Sequence, residues 1–253
     1  MLDTILQLTA LEPGDLVLLA VLATLAGLVR GFAGFGLSAI VMAGMASRLA
    51  PVELIPVCFT LEFVASIAMV RGGMRHADMR LVALLAGTSA VGLPIGLFAT
   101  TSMDPAVSKL TALAIIVILA MAQLLKFQPR NLASTPGIIA TGLTAGMAAG
   151  LASVGGMVIA LYVLASSKPA SQMRASLVMY LAFNLAMSLV YFLAYGLLNQ
   201  TSAVRGLLVA PAMLVGLAAG AALFNPQMGR LYRTTCLLLL LSLAGFGLFR
   251  QLP

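Results

Sequence analysis

Charge is what this chain has least of. Its 253 residues hold 14 Lys/Arg, 7 Asp/Glu and one His, so 8% are charged and 62% hydrophobic, with mean hydropathy +1.11. A soluble domain carries about 25% charged residues, and this shortage excludes one. The chain reads as a polytopic membrane protein. Alternating strands of a β-barrel are missing, and the apolar segments are helix-length, so the fold class is all-α, with every backbone group satisfied inside its own helix. Cysteine is scarce too: Cys58 and Cys236 stand alone in apolar segments, which excludes a disulfide framework or a cysteine metal site and leaves them as packing residues. The single histidine, His76, sits in the polar loop Arg71 to Arg80 and reads as solvated. No metal motif can be assembled, and no cofactor is expected. Around Asp3 and Ile5 there is neither a basic n-region nor an A-x-A site, so the first helix is expected to be retained.

Glycine, by contrast, is abundant and ordered. Arg30-Gly31-Phe32-Ala33-Gly34-Phe35-Gly36 interrupts an apolar run from Leu16 to Met45, too long for one span of about 20 residues. The run must break or turn. Gly27, Gly31 and Gly36 recur 119 positions later as Gly146, Gly150 and Gly155, which marks an internal duplication. Gly92 and Gly96 recur as Gly216 and Gly220 at an offset of 124. These later pairs read as small-xxx-small helix packing. The division is residues 1–128 and 129–253, two repeats within one integral membrane domain.

The first block runs from Leu16 to Val29, breaks at Gly31 to Gly36 and resumes from Leu37 to Ala46. Spans follow at Pro51 to Val70, Leu81 to Thr100 and Ala106 to Leu125, and Lys126 to Pro136 links the halves. The second half repeats this with a broken block from Gly137 to Ala165 and spans at Ser171 to Leu198, Gly206 to Phe224 and Thr235 to Phe249. Suppose each broken block goes in and comes back, as a re-entrant hairpin or as paired short spans. One side then receives Arg71, Arg75, Arg80, Lys126, Arg130, Lys168, Arg174, Arg230 and Arg233, and the other only Arg48, Lys109, Arg205 and Arg250. A single crossing per block would divide the charges seven to six. The nine-to-four division obeys the positive-inside rule. It predicts inverted repeats, as in secondary transporters, with both termini outside the cell inner membrane. Tyr191 and Tyr195 then fall near the outer interface and Tyr232 near the inner one, as aromatic anchors.

Unwound backbone at membrane depth is tolerated when it lines a cavity, and a half-helix starting there aims N–H groups and its positive dipole end at the gap. The candidate anion donors are the backbone around Gly34, Phe35, Gly36, Leu37 and Ser38, with Gly31 at the head of the motif. In the second half they lie around Ser153, Val154, Gly155, Gly156 and Met157, with Gly150. Glu62 is the acid deepest in a span, on a face with Cys58, Phe59, Ala65, Ser66 and Met69. It reads either as a coupling or gating group or as half of a buried pair with Arg30 or Arg174, since an isolated charge there is costly. Arg30 beside the break has two readings as well, a coupling or gating residue or a side chain snorkelling to the inner interface. Asn184, midway in the equivalent helix of the second half, is the polar residue nearest in role to Glu62, and Thr60, Ser188 and Tyr180 are weaker lining candidates. Residues 1–104 carry five Lys/Arg and seven Asp/Glu, a net −2, whereas residues 105–253 carry nine Lys/Arg and no acid, a net +9. The excess suits an anion pathway, and topology alone also accounts for it.

The run Arg30 to Gly36 and the run Gly142-Leu-Thr-Ala-Gly-Met-Ala-Ala-Gly-Leu-Ala-Ser-Val-Gly-Gly156 resemble the paired glycine motifs of the sulfite exporter TauE/SafE family. Pro51 and Pro169 after each motif and the chain length extend the likeness over almost the whole sequence. Phe35, Ala152 and Val154 stand where glycine is frequent in the family. The resemblance implies a transporter, and not an enzyme, for small sulfur-containing anions such as sulfite or sulfoacetate. A passive anion channel or uniporter is the alternative, and an intramembrane enzyme would lack a nucleophile–base set at depth. The expected partners are a small anion and the lipid bilayer, not nucleic acid; a homodimer is compatible with the sequence.

Overall fold

A computed structural model describes residues 8–73, 76–127, 132, 134–165, 170–223 and 229–249. Asp3, Ile5, Arg75, Pro129, Arg130, Lys168, Pro169 and Arg250 lie outside the described residues, as do the side chains of Arg71, Arg230, Tyr232 and Arg233. From Pro13 onward the described residues form ten helices and no strand. In chain order these are α1 (Pro13–Ala33), α2 (Leu37–Met45), α3 (Pro51–Gly73), α4 (Met79–Ser102), α5 (Pro105–Leu124), α6 (Thr135–Ala152), α7 (Gly155–Ala165), α8 (Ala170–Ala194), α9 (Gln200–Ala222) and α10 (Gly229–Phe249). Seven of them, α1, α3, α4, α5, α6, α8 and α9, contain segments long and apolar enough to cross a membrane. Their outward faces carry exposed apolar side chains such as Val17 and Val21 on α1, Val91, Ile95 and Phe98 on α4, and Val215 on α9. Lipid is the solvent that suits such faces.

Local chemistry sets the helix ends. Asp78, Asp104, Ser134 and Asn199 cap α4, α5, α6 and α9, each side chain accepting a backbone N–H of the first turn, which satisfies donors the helix itself leaves free. α1 starts with proline at its first position, where the missing N–H costs nothing. It ends at Gly34, whose φ of 83° is the left-handed cap and whose N–H returns to the Arg30 carbonyl, as glycine permits.

The first break is narrower than the glycine spacing predicts. Arg30 to Ala33 remain helical, so α1 has 21 residues and measures about 31 Å, enough to span alone. Gly31 lies inside the helix because it serves a neighbour, as shown below. Only Gly34 to Gly36 interrupt the run, and the nine residues of α2 extend about 14 Å. α2 then folds back along α1: a Cβ on Gly36 would stand 3.1 Å from Val29, one on Gly44 would stand 2.4 Å from Leu22, and Arg48 pairs with Asp15 at 2.7 Å. The chain therefore reverses direction at the first break. In the second block α6 ends at Ser153, φ 57°, and α7 folds back so that a Cβ on Gly155 would lie 2.5 Å from the Ala145 carbonyl.

Two crossings of bare backbone hold the bundle together. α1 meets α9, where a Cβ on Gly27 would lie 2.1 Å from the Met213 carbonyl, one on Gly31 2.2 Å from that of Leu217, and one on Gly216 2.0 Å from that of Thr24. α4 meets α6 in the same manner, Gly92 against Leu143 at 2.1 Å and Gly146 against Ser89 at 2.1 Å. Packing is thus the role of Gly92, Gly96, Gly216 and Gly220, as their spacing suggests. Under the sequence offsets α1 answers to α6 and α4 to α9, so each crossing pairs a helix of one half with the other half. The short α2, fully buried at Leu37, Ile40, Met42 and Met45, is enclosed by α1, α3, α5 and α10.

Candidate functional site

The two breaks meet at one cavity of about 50 Å³, lined by Gly36, Ser38 and Ala39 of the first and Ser153 to Met157 of the second. α3 adds Phe59 and Glu62, α4 adds Leu93, α6 adds Ala149, and α8 adds Leu181, Asn184, Leu185, Ser188 and Phe192. A helix offers its first N–H groups no acceptor of its own. At α2 those groups belong to Leu37, Ser38 and Ala39, and at α7 to Gly155 and Gly156, so two positive helix ends face the cavity. Gly34 and Ser153 do not contribute as the sequence suggests: the Gly34 N–H is taken by the Arg30 carbonyl, that of Ser153 by Ala149. The Val154 N–H turns back to Ala148 and that of Met157 to Val154.

Of the sequence-derived candidates, Gly36, Ser38, Glu62, Ser153, Gly155, Gly156 and Asn184 converge on this cavity, and Ser188 joins them. Gly31 and Gly150 are packing residues, Gly150 lying against Leu97 with 2.5 Å to a Cβ. Phe35 is buried in the core. Gly34 supports the Arg174 side chain, 3.3 Å from its would-be Cβ. Thr60 bonds back to the Pro56 carbonyl at 3.0 Å, and Tyr180 is fully buried against Ser89 at 2.9 Å. Ser89 also donates to Asn184 Oδ1 at 3.2 Å, which fixes the amide at the wall.

Glu62 is paired. Its Oε1 accepts from the Ser38 hydroxyl at 3.0 Å and its Oε2 lies 3.2 Å from Nη2 of Arg30. Arg30 does not snorkel, being 0% exposed. Its guanidinium also donates to the Gly34 carbonyl and, at 3.4 Å, to Ser66. The pair therefore ties α1, α2 and α3 together around the first break, with the carboxylate toward the cavity and the guanidinium behind it. Arg174, the other partner considered for Glu62, reaches across to the Gly31 carbonyl at 2.5 Å.

Several polar contacts at the breaks have no sequence signal beyond a lone polar residue in a helix. The Thr100 hydroxyl donates to the Gly150 carbonyl at 2.9 Å, and Gln123 Nε2 donates to the Met157 carbonyl at 3.0 Å. Cys58, free and buried, directs its thiol at the Ser38 carbonyl at 3.8 Å. The Gly150 carbonyl is one that the end of α6 leaves without a helical partner, whereas those of Ser38 and Met157 lie in the first turns of α2 and α7 and take these contacts as second acceptors. Among the described residues no group of His, Cys, Asp and Glu is placed to hold a metal ion. What remains is a small chamber of mixed polar and apolar lining, with one carboxylate and two converging helix ends, inside an apolar bundle.

No curated protein and no solved structure matches the chain. The family described as Sulfite exporter TauE/SafE matches residues 19–246, from the first turns of α1 to the end of α10, and takes in both breaks and every wall of the cavity. The chain is a multi-pass membrane protein of the sulfite exporter TauE/SafE family, a family of transporters and not of enzymes.

Proposed function

We propose that the protein carries a small sulfur-containing anion, sulfite or a short organosulfonate, by alternating access around the cavity between the two breaks. The observation that carries this reading is the convergence of the α2 and α7 N-termini on one chamber that also holds Glu62, Asn184 and Ser188. Its size supports a small substrate. A water needs roughly 10–15 Å³ on this scale, so the chamber takes about four waters, the bulk of sulfite or methanesulfonate and less than that of sulfoacetate. Export is the favoured direction for sulfite, because with the inside negative each net negative charge carried outward gains about 2.3 kcal/mol per 100 mV.

The topology that goes with this reading has inverted repeats, both termini outside and the inner membrane as location. Three contacts support it. Arg48 and Arg205, assigned to the same side only if the blocks return, are held at one end of the bundle by Asp15 and by Glu53, five positions along from Arg48. At the other end the Asp78 N–H donates to Ser176 at 2.9 Å, joining the basic loop after α3 to the start of α8. The reciprocal α1–α9 and α4–α6 crossings are what two inverted repeats would make. A homodimer is compatible with the exposed apolar faces and is not required by the site.

The test is flux in proteoliposomes holding the purified chain. Labelled sulfite should cross under an imposed voltage, labelled sulfite and methanesulfonate should both cross down their own gradients and saturate, and planar bilayers should show no unitary conductance. Flux that is absent for every sulfur anion removes the reading. Unitary currents would replace the carrier by a channel.

A further inference from the structure

The site already contains an anion of its own. Glu62 stands in the chamber wall and takes the Ser38 hydroxyl, the side-chain donor nearest the start of α2. It also balances the charge of Arg30. Its Oε2, although 3.2 Å from Nη2 of Arg30, has no aligned hydrogen bond among the described residues, which leaves a lone pair open.

Ser66 and Cys58 are on the same helix as Glu62, and α8 presents Asn184 and Ser188 to the chamber, with Arg174 beyond Arg30 at the Gly31 carbonyl. The second break presents Ser153 and the N–H groups of Gly155 and Gly156, and α4 presents Leu93. The Arg205 of α9 is held at Glu53, well up α3. Arg30 is thus the one full positive charge in contact with Glu62 among the described residues, and Glu62 neutralises it. A second anion in the chamber would face a carboxylate at close range, and like charges sharing one buried site cannot both stay ionised without a large penalty.

We infer that Glu62 is the resident anion of the carrier and that each substrate anion enters with one proton, which Glu62 accepts. The inference rests on the carrier reading above. The balance is simple: the carboxylate gains a proton from the aqueous side that supplies the substrate, one O–H bond forms, and the same proton leaves with the substrate on the far side. No oxidation is involved. The Ser38 hydroxyl, released from a carboxylate that has become a neutral acid, turns to the incoming anion. A monovalent sulfonate then moves without net charge, and divalent sulfite moves one negative charge.

Calorimetric binding of methanesulfonate to the full chain in detergent, repeated in buffers of different ionisation enthalpy, counts the protons. The sulfonate stays ionised, so uptake belongs to the protein. The expected result is about one proton per anion and an affinity that falls about tenfold per pH unit while Glu62 is ionised in the free protein. Glu62→Gln should bind with no uptake and no pH dependence, and Glu62→Asp should restore both. Methanesulfonate flux driven by a pH gradient at zero voltage should vanish in Glu62→Gln. Binding by the wild type without proton uptake, or uptake that persists in Glu62→Gln, overturns the inference. Voltage-driven flux in that case leaves the carrier reading intact.

Discussion

Arg174 donates to the carbonyl of Gly31 at 2.5 Å, across 143 positions of sequence. The equivalent carbonyl in the other half, that of Gly150, is served by the Thr100 hydroxyl at 2.9 Å. One break is held by charge and the other by neutral groups. With Arg30 and Glu62 on the same side, the asymmetry concentrates electrostatics at the first break, while the second has only Thr100, Gln123 and its own backbone.

Arg174→Ala should therefore loosen the first break. A hydrogen bond from a charged donor contributes about 1.5–3 kcal/mol, and Arg174→Lys should keep part of it. Thermal unfolding in detergent checks this: the order wild type, Lys, Ala is expected, and equal midpoints would show that the contact does not support the fold.

Glycines at the breaks and at the crossings should fail in different ways. Gly36, φ 92°, and Gly155, against the Ala145 carbonyl, shape the chamber. Gly36→Val and Gly155→Val strain the breaks themselves, and the protein that does insert is expected to lose flux per molecule by at least about tenfold, equivalent to 1.4 kcal/mol in the barrier. Gly27→Val and Gly216→Val should reduce the yield of folded protein, because backbone lies about 2 Å from the added carbon. Gly87→Ala, with nothing within 4 Å, should be neutral or stabilising by up to about 1 kcal/mol. Membrane yield and flux, measured together, separate the groups.

Ser153 has a left-handed backbone, φ 57°, which costs an L-residue roughly 1–2 kcal/mol that glycine avoids. Ser153→Gly should raise the unfolding midpoint. If its hydroxyl also touches the anion, KM for sulfite should rise in the same variant, and an unchanged KM would assign that contact to backbone alone.

Reporter fusions after Arg75 and after Arg250 should report opposite sides of the membrane, Arg75 within. The nine-to-four distribution of basic residues demands it. Both reporters on one side would discard the topology.

The positions of both breaks were legible because glycine at a fixed offset has few other meanings inside an apolar run. Their extent was not. Gly31 and Gly34 stand three positions apart in one motif, yet Gly31 stays helical to receive the Leu217 carbonyl and Gly34 turns the chain. Sequence carries no label for which neighbour a glycine faces. Glu62 was recognisable as a residue needing a partner, whereas the choice of Arg30 over Arg174 depends on how α1, α3 and α8 stack. Thr100 and Gln123 were invisible for a related reason: one polar residue in a span looks alike whether it caps a broken helix or bonds within its own.

The α1–α9 crossing also has a schedule. Gly27 and Gly31 leave the ribosome early, and the Met213 and Leu217 backbone that fills their groove follows some 186 positions later. At roughly 5–20 residues per second, α1 waits about ten to forty seconds beside lipid, or beside a temporary helper, before its mate is made. The α4–α6 crossing closes far sooner, since Gly92 and Leu143 are 51 positions apart. Assembly should thus proceed from the middle of the chain outward, with the first helix locked last, and fragments cut in the central linker should reassemble only when both are present in the same bilayer.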